Sequence, residues 1–273
     1  MKVIVSHDVD HIHLWDHTND LIIPKFLARN FLEVLFGTTK VAEFFKRGKV
    51  LFTNRWERIP EILEFDRGHG IPSTFFFGMS KGCNLAYSVD AAIPLIKYVS
   101  GQGFEAGVHG IAFDDPGKMQ EEFRLFAEIS GKSDFGIRMH YLRQDDSTLQ
   151  NLERCGYRFD STRPSIEGPV KTGNIWEFPL HIMDGDMVYQ GNSFSRTGLD
   201  GVQALTEKKM KEAEEAGIPY LTILFHDLYF DDSFSLWKKW YAWIIDLCTS
   251  RGYTFIDYKT AIRELEQKEI HTT

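Results

Sequence analysis

The sequence predicts an α/β protein built on a mostly parallel sheet, with its chemical groups gathered on one rim. Three observations carry this. The first is the apolar run Val3-Ile4-Val5, which breaks abruptly into Ser6-His7-Asp8-Val9-Asp10-His11-Ile12-His13. A short β-branched run ending in charged residues reads as a buried strand that emerges at a site. The second is a rhythm in which a helix closes on glycine and an apolar strand follows. Gly70, Gly103, Gly156, Gly217 and Gly252 each precede such a strand. Strands alternating with helices imply βαβ crossovers and a parallel sheet. The third is that most of the strands end at a titratable residue, and the C-terminal ends of parallel strands share one rim.

Taken in order, the first strand is followed by a helical insertion over about residues 16–58. Its first helix spans residues 26–36 and closes at Gly37, its second runs over 41–45 and closes at Gly48, and a third starts at Asn54. Strands then fall at 73–77, 108–109, 159–160, 175–178, 221–226 and 255–257, with Arg138 and His140 on a further strand end. Residues 199–217 and 233–252 are the clearest amphipathic helices, and the Trp237, Trp240, Trp243 series belongs to a helix core. No Pro/Gly/Ser linker interrupts the chain, so residues 1–273 read as a single domain.

At 273 residues, 43% hydrophobic and 26% charged, the chain can bury a core without disulfides. A net charge of −8 without a basic stripe argues against a nucleic-acid partner. Lys208, Lys209 and Lys211 face Glu207, Glu212, Glu214 and Glu215 on one helix, as solvated i,i+4 pairs do. Cys83, Cys155 and Cys248 form no framework, and a strand starting at residue 3 leaves no room for a leader. No apolar run reaches membrane-spanning length. The expectation is a cytoplasmic protein with no stable membrane insertion.

On the rim, Asp8 and Asp10 point the same way, because successive strand side chains face opposite sides. Two adjacent carboxylates raise one another's pKa unless a cation lies between them. Asp10 and His109 are therefore candidate ligands of a divalent cation such as zinc, and Asp8 is a candidate base for an attacking water. His226 on the far side would protonate the leaving group, with Asp227 or Asp160 holding its ring. Arg138 would orient Asp8. Asp257 also arrives at this rim. His17, His69 and His271 have no partner pattern and are expected at the surface. Asp184 and Asp186 flank Gly185 and read first as a turn, in a loop that could still reach the rim.

The order of these motifs resembles the polysaccharide deacetylase family, also called NodB-homology or carbohydrate esterase family 4. Asp-x-Asp follows the first strand, His109-Gly110 follows a Glu-x-Gly strand, an Arg-x-x-Tyr stretch starts at Arg138, and Leu224-Phe225-His226-Asp227 lies near the end. The likeness spans roughly residues 2–258. It is nearest to the branch carrying His-Asp-Val-Asp-His, here His7 to His11, and Arg-x-His-Tyr-Leu-Arg, here Arg138 to Arg143, which is associated with bacterial surface polysaccharides. The resemblance implies a distorted (β/α) barrel of about seven strands and metal-dependent removal of N- or O-acetyl groups from sugars. It implies Asp8 as base, Asp10 and His109 as metal ligands, Arg138 as partner of the base, His226 as acid, and the Tyr141 backbone amide near the oxyanion. Tyr141, Arg143 and Trp176 form a candidate sugar-binding set.

One position departs from the pattern. The usual second metal histidine falls four residues after the first, at Phe113, which cannot ligate. His140 is the favoured replacement, ahead of Asp114, His11 and His13. The expected activity is deacetylation of an acetylated sugar in a surface-polysaccharide precursor (O-antigen or capsule). The alternatives are a metal-independent C–N hydrolase and a non-catalytic carbohydrate-binding protein.

Overall fold

The computed structural model describes residues 1–189 and 198–272, with the side chains of residues 271 and 272 outside that description. Its centre is strand β1 (Lys2–Val9), hydrogen-bonded in parallel to β2 (Thr74–Gly78), β9 (Tyr220–Leu224) and β10 (Thr254–Phe255). From β2 the sheet continues through β3 (Glu105–Gly110), β4 (Ile137–Met139) and β5 (Phe159–Asp160) to β7 (Ile175–Glu177). Beyond β9 lies β8 (Ile182–Met183), again parallel, and β6 (Val170–Thr172) adds an antiparallel hairpin strand to β7. The sheet is curled into a distorted β/α barrel. No ladder joins β7 to β8 among the described residues, so the curl does not close there. The short strands β6 and β8 are not apparent from periodicity, because two or three residues carry no alternation to detect.

The helices are α1 (Ile22–Leu35), α2 (Val41–Gly48), α3 (Val50–Thr53), α4 (Ile59–Gly68), α5 (Val89–Gly101) and α6 (Pro116–Ser130). They continue with α7 (Thr148–Cys155), α8 (Asp184–Tyr189), α9 (Leu199–Glu215), α10 (Ser235–Ser250) and α11 (Tyr258–Thr272). All five handover glycines have positive φ, from 66° at Gly70 to 98° at Gly156. At Gly156 this left-handed residue ends α7, and any other residue would strain the step into β5. Helix α6 shows the full punctuation: Asp115 caps it by accepting from the Gly117 and Lys118 amides, Pro116 opens it and Gly131 closes it.

The expected start of a helix at Asn54 is not met. Asn54 sits at φ 55° as the left-handed cap of α3, and α4 begins only at Ile59 with Pro60 behind it. The main core lies between the sheet and its outer helices, with Trp237 and Trp240 of α10 fully buried in it. A second cluster fills the inside of the curl with Ile4, Phe76, Phe159, Trp176, Phe178 and Tyr258.

Candidate active site

Register brings the rim together. Asp8 is opposite Phe76, Gly78 is opposite His109, and His109 is opposite Arg138, so the ends of β1, β2, β3 and β4 rise side by side. Strand β4 then turns sharply. Tyr141 and Leu142 take φ of 58° and 52°, a left-handed pair without glycine. Each such residue costs about 1–3 kcal/mol, a strain that native structures concentrate at functional sites.

The Arg138 guanidinium is fully buried over the Phe76 ring. It donates to Asp8 Oδ1 at 3.0 Å, to Ser6 Oγ at 2.8 Å, to the Ser161 carbonyl at 2.7 Å and to Tyr258 Oη at 3.1 Å. Ser161 and Tyr258, which the sequence does not single out, thus complete the seat of the arginine. Asp8 is thereby held in one rotamer by a charge that cannot leave.

Asp10, His109 and His140 converge. Asp10 Oδ1 lies 3.2 Å from His109 Nε2 and 3.2 Å from His140 Nδ1, and the two ring nitrogens are 2.9 Å apart. The opposite nitrogens decide the tautomers. His109 Nδ1 donates to the Arg138 carbonyl at 3.0 Å, and His140 Nε2 donates to the Cys83 carbonyl at 2.9 Å. A carbonyl only accepts, so both protons are committed there and both remaining lone pairs face Asp10. Asp10 Oδ1 is buried and has no donor. Three acceptors aimed at one point leave a place that a cation fills, and one carboxylate oxygen with two imidazole nitrogens is a donor set suited to zinc and its neighbours. Burial pulls His109 down, and Asp8 and Asp10 reverse that, so this corner attracts positive charge.

Across the site, His226 Nε2 is 3.6 Å from Asp10 Oδ2, and its ring is held from behind by Asp184. Asp184 Oδ1 is 2.8 Å from His226 Nδ1, and Oδ2 accepts from the His226 amide at 2.7 Å. Burial would lower the His226 pKa, but Asp184, Asp10 and Asp8 push it up to about 10. His226 and Asp10 keep about a fifth of their side chains exposed, so the cluster opens to solvent between them.

Several expected placements are corrected. Neither Asp227 nor Asp160 holds His226. Asp227 accepts from the Arg58 amide, and Asp160 is partnered by Glu177 and Thr162. The signal for Asp184 was its position directly after β8, a strand too short to recognise. Trp176 is buried in the inner core cluster and presents no face to a sugar. Arg143 is spent on the carbonyls of Ile111 and His140 and stacks over Phe113, so it braces the rim loop. Tyr141 remains exposed on the rim, its hydroxyl accepting from Asn84. Asp257 caps α11 through the Thr260 amide. Asp114 is exposed and His13 pairs with Asp16, both outside the cluster. His11 stacks on Trp56 and meets His17, which is buried rather than exposed and bonded onward to Asp20. The His271 side chain lies outside the described residues.

No protein-family model matches the chain, and no curated protein matches it in sequence. Solved structures match its fold. One is a protein from Mycobacterium smegmatis assigned as a polysaccharide deacetylase, with TM-score 0.65 and 16% identity over 98% of this chain and 91% of that one. A second, assigned likewise from Pseudomonas aeruginosa PAO1, has TM-score 0.62 and 12% identity, covering 97% of this chain and 90% of its own. The chain has the polysaccharide deacetylase fold. The Puue allantoinase also matches, with TM-score 0.61, 12% identity and coverage of 96% and 88%. One deacetylase-type fold therefore carries more than one hydrolysis, and the reaction must be argued from the residues.

Proposed function

We propose that this protein is a metal-dependent deacetylase of an acetylated sugar. The observation that carries the reading is the convergence of Asp10, His109 and His140 with no donor between them, beside a base locked by Arg138 and an acid locked by Asp184. A divalent cation held by these three residues would supply Lewis-acid polarisation of the acyl carbonyl and acidify the attacking water. Asp8, oriented by Arg138, takes the proton from that water as it adds to the carbonyl. His226, protonated at neutral pH, gives a proton to the departing sugar nitrogen or oxygen. The Tyr141 backbone, set on the strained turn of the rim, is the candidate donor to the developing oxyanion.

Zinc is the metal we favour, because the donor set mixes nitrogen and oxygen and leaves room for substrate. The surface-polysaccharide precursor as substrate rests on the sequence likeness of His7 to His11 and Arg138 to Arg143. The three cysteines are all free, which fits a cytoplasmic setting. The metal-free C–N hydrolase accounts poorly for three acceptors facing one another. The carbohydrate-binding reading loses its platform with Trp176 buried.

The test is metal content of wild type and His140→Ala by plasma mass spectrometry, with acetate release from N-acetylated sugars measured on the same samples. The reading expects near-stoichiometric divalent metal, lost together with activity in His140→Ala. A protein that takes up no metal from excess zinc would overturn it.

A further inference from the structure

The helical segment between β1 and α4 packs Ile22, Ile23, Phe26 and Leu51 on Val50 and Trp56, yet much of its apolar surface stays uncovered. On α1 the buried residues are polar: Asn30 and Glu33 each accept from Arg47 Nη1 at 2.6 Å. Arg47 in turn donates to the Ser233 carbonyl and lies over the Phe234 ring, so the polar face is the one fastened to the barrel. The other face of α1 carries Leu27, Phe31 and Leu35, at i, i+4 and i+8, out into solvent. Helix α2 adds Val41 and Phe45 one turn apart, and α3 ends with Phe52 at 90% exposed. Of the thirteen large apolar side chains exposed among the described residues, nine lie between Trp15 and Phe52. Scattered exposed leucines need no explanation, but this concentration marks a surface made to be covered.

Charge indicates what covers it. Residues 21–53 hold six Lys and Arg against two Glu, in a chain whose net charge is −8. Lys25, Lys40, Lys46 and Lys49 are exposed, and among the described residues none of them pairs with a carboxylate. Exposed aromatics and leucines interspersed along the chain with unpaired lysines are the composition of helices that lie in an anionic membrane interface. Helix α1 has 14 residues, too short to span a bilayer, and among the described residues no helix is long and apolar enough to cross one.

We propose that α1–α3 form a peripheral docking surface for an anionic lipid bilayer. The surface is placed for use. A cavity of about 230 Å³ between α1 and the rim is lined by Lys25 and Phe26 on one side and by His11 and Tyr229 on the other. The Tyr229 ring stands 6.2 Å from that of His226. The helix that carries the exposed apolar face thus borders the acid–base rim through its opposite, barrel-facing side. Resting on the deacetylase reading, this makes the substrate class an acetylated sugar carried on a lipid rather than a free one.

Flotation of the full chain with phosphatidylcholine vesicles, with and without phosphatidylglycerol, tests the surface without requiring activity. The expected result is flotation with the anionic vesicles only. It should fall about tenfold or more in Phe31→Ser/Leu35→Ser/Phe45→Ser and equally in Lys40→Glu/Lys46→Glu/Lys49→Glu, a charge reversal that leaves the apolar residues in place. Wild type that stays unbound with both vesicles overturns the proposal, whatever the outcome of the metal and acetate assays. So does a dimer in analytical ultracentrifugation that the serine variant dissociates while vesicles remain unbound, which would assign the face to a second copy.

Discussion

Asp184 grips His226 twice, one oxygen on the ring Nδ1 and the other on the backbone amide of the same residue. The imidazole is therefore fixed in orientation as well as in charge, with Nε2 turned toward Asp10. Asp184→Asn keeps an acceptor for the amide but removes the charge that holds the ring protonated. The expected loss in kcat is roughly 10²-fold. The sign of the pH effect follows. A group that must be protonated loses function as pH rises through its pKa, which lies at about 10 in the wild type. In Asp184→Asn that fall should begin at lower pH, with metal content unchanged. A kcat profile whose alkaline limb stays in place would remove His226 from the role of acid.

The strand ends were readable because a β-branched run that stops at Asp or His leaves little alternative, and the five glycines punctuate strands that are all present. Asp8, Asp10, His109, Arg138 and His226 were legible for that reason, and His140 because one place in a familiar donor set stood vacant. What could not be read were contacts made across the barrel by residues without a local pattern. Asp184 follows a two-residue strand, Tyr258 opens the helix after the last strand, and Ser161 looks like any serine. Trp176 misled because a tryptophan beside a glutamate on a strand reads equally as a platform or as core. Only the curl of the sheet, which turns that face inward, decides between them.

Asp8 and Arg138 are each buried, and among the described residues Asp8 is the only carboxylate ion-paired with Arg138. Asp8→Asn should reduce kcat by about 10³-fold or more, within the range for loss of a general base. It should also cost about 3–5 kcal/mol of stability, since an uncompensated guanidinium remains in the core. Replacing both, in Asp8→Asn/Arg138→Met, should recover stability without recovering turnover. Denaturant unfolding alongside acetate release separates the two effects. A single variant as stable as wild type would mean that Ser6, Ser161 and Tyr258 satisfy the arginine alone.

His7 shares the His-Asp-Val-Asp-His stretch with the site yet points away from it. Its Nε2 meets Asp66 Oδ2 at 2.9 Å and its Nδ1 donates to the Phe225 carbonyl at 2.8 Å, while Ser73 and Tyr241 also donate to Asp66. Every one of these groups is buried. The role is to lock β1 to β9 and α4. His7→Ala should therefore destabilise by about 3–5 kcal/mol, the cost of breaking a buried charged network. Metal content of the folded fraction should match wild type. Loss of metal with unchanged unfolding would instead assign His7 to the site.

Asp160 and Glu177 face each other in register on β5 and β7, and both are buried. Burial and the neighbouring Asp160 push the Glu177 carboxyl up to about 10, so at neutral pH it keeps its proton and donates it to Asp160. A carboxyl whose pKa is raised by folding stabilises the native state most below its ordinary value of 4.5, and that contribution drains away as pH rises toward 10. Native Glu177 holds a proton that the unfolded chain releases, so stability must decline across this window, by at most about 1.4 kcal/mol per pH unit. Glu177→Gln supplies an amide donor that does not titrate. Denaturation midpoints from about pH 6 to about pH 9 should slope downward in wild type and flatten in the variant, which becomes the more stable of the two at the alkaline end. Parallel slopes would show that Glu177 is ionised in the folded protein, and that Asp160 has another donor.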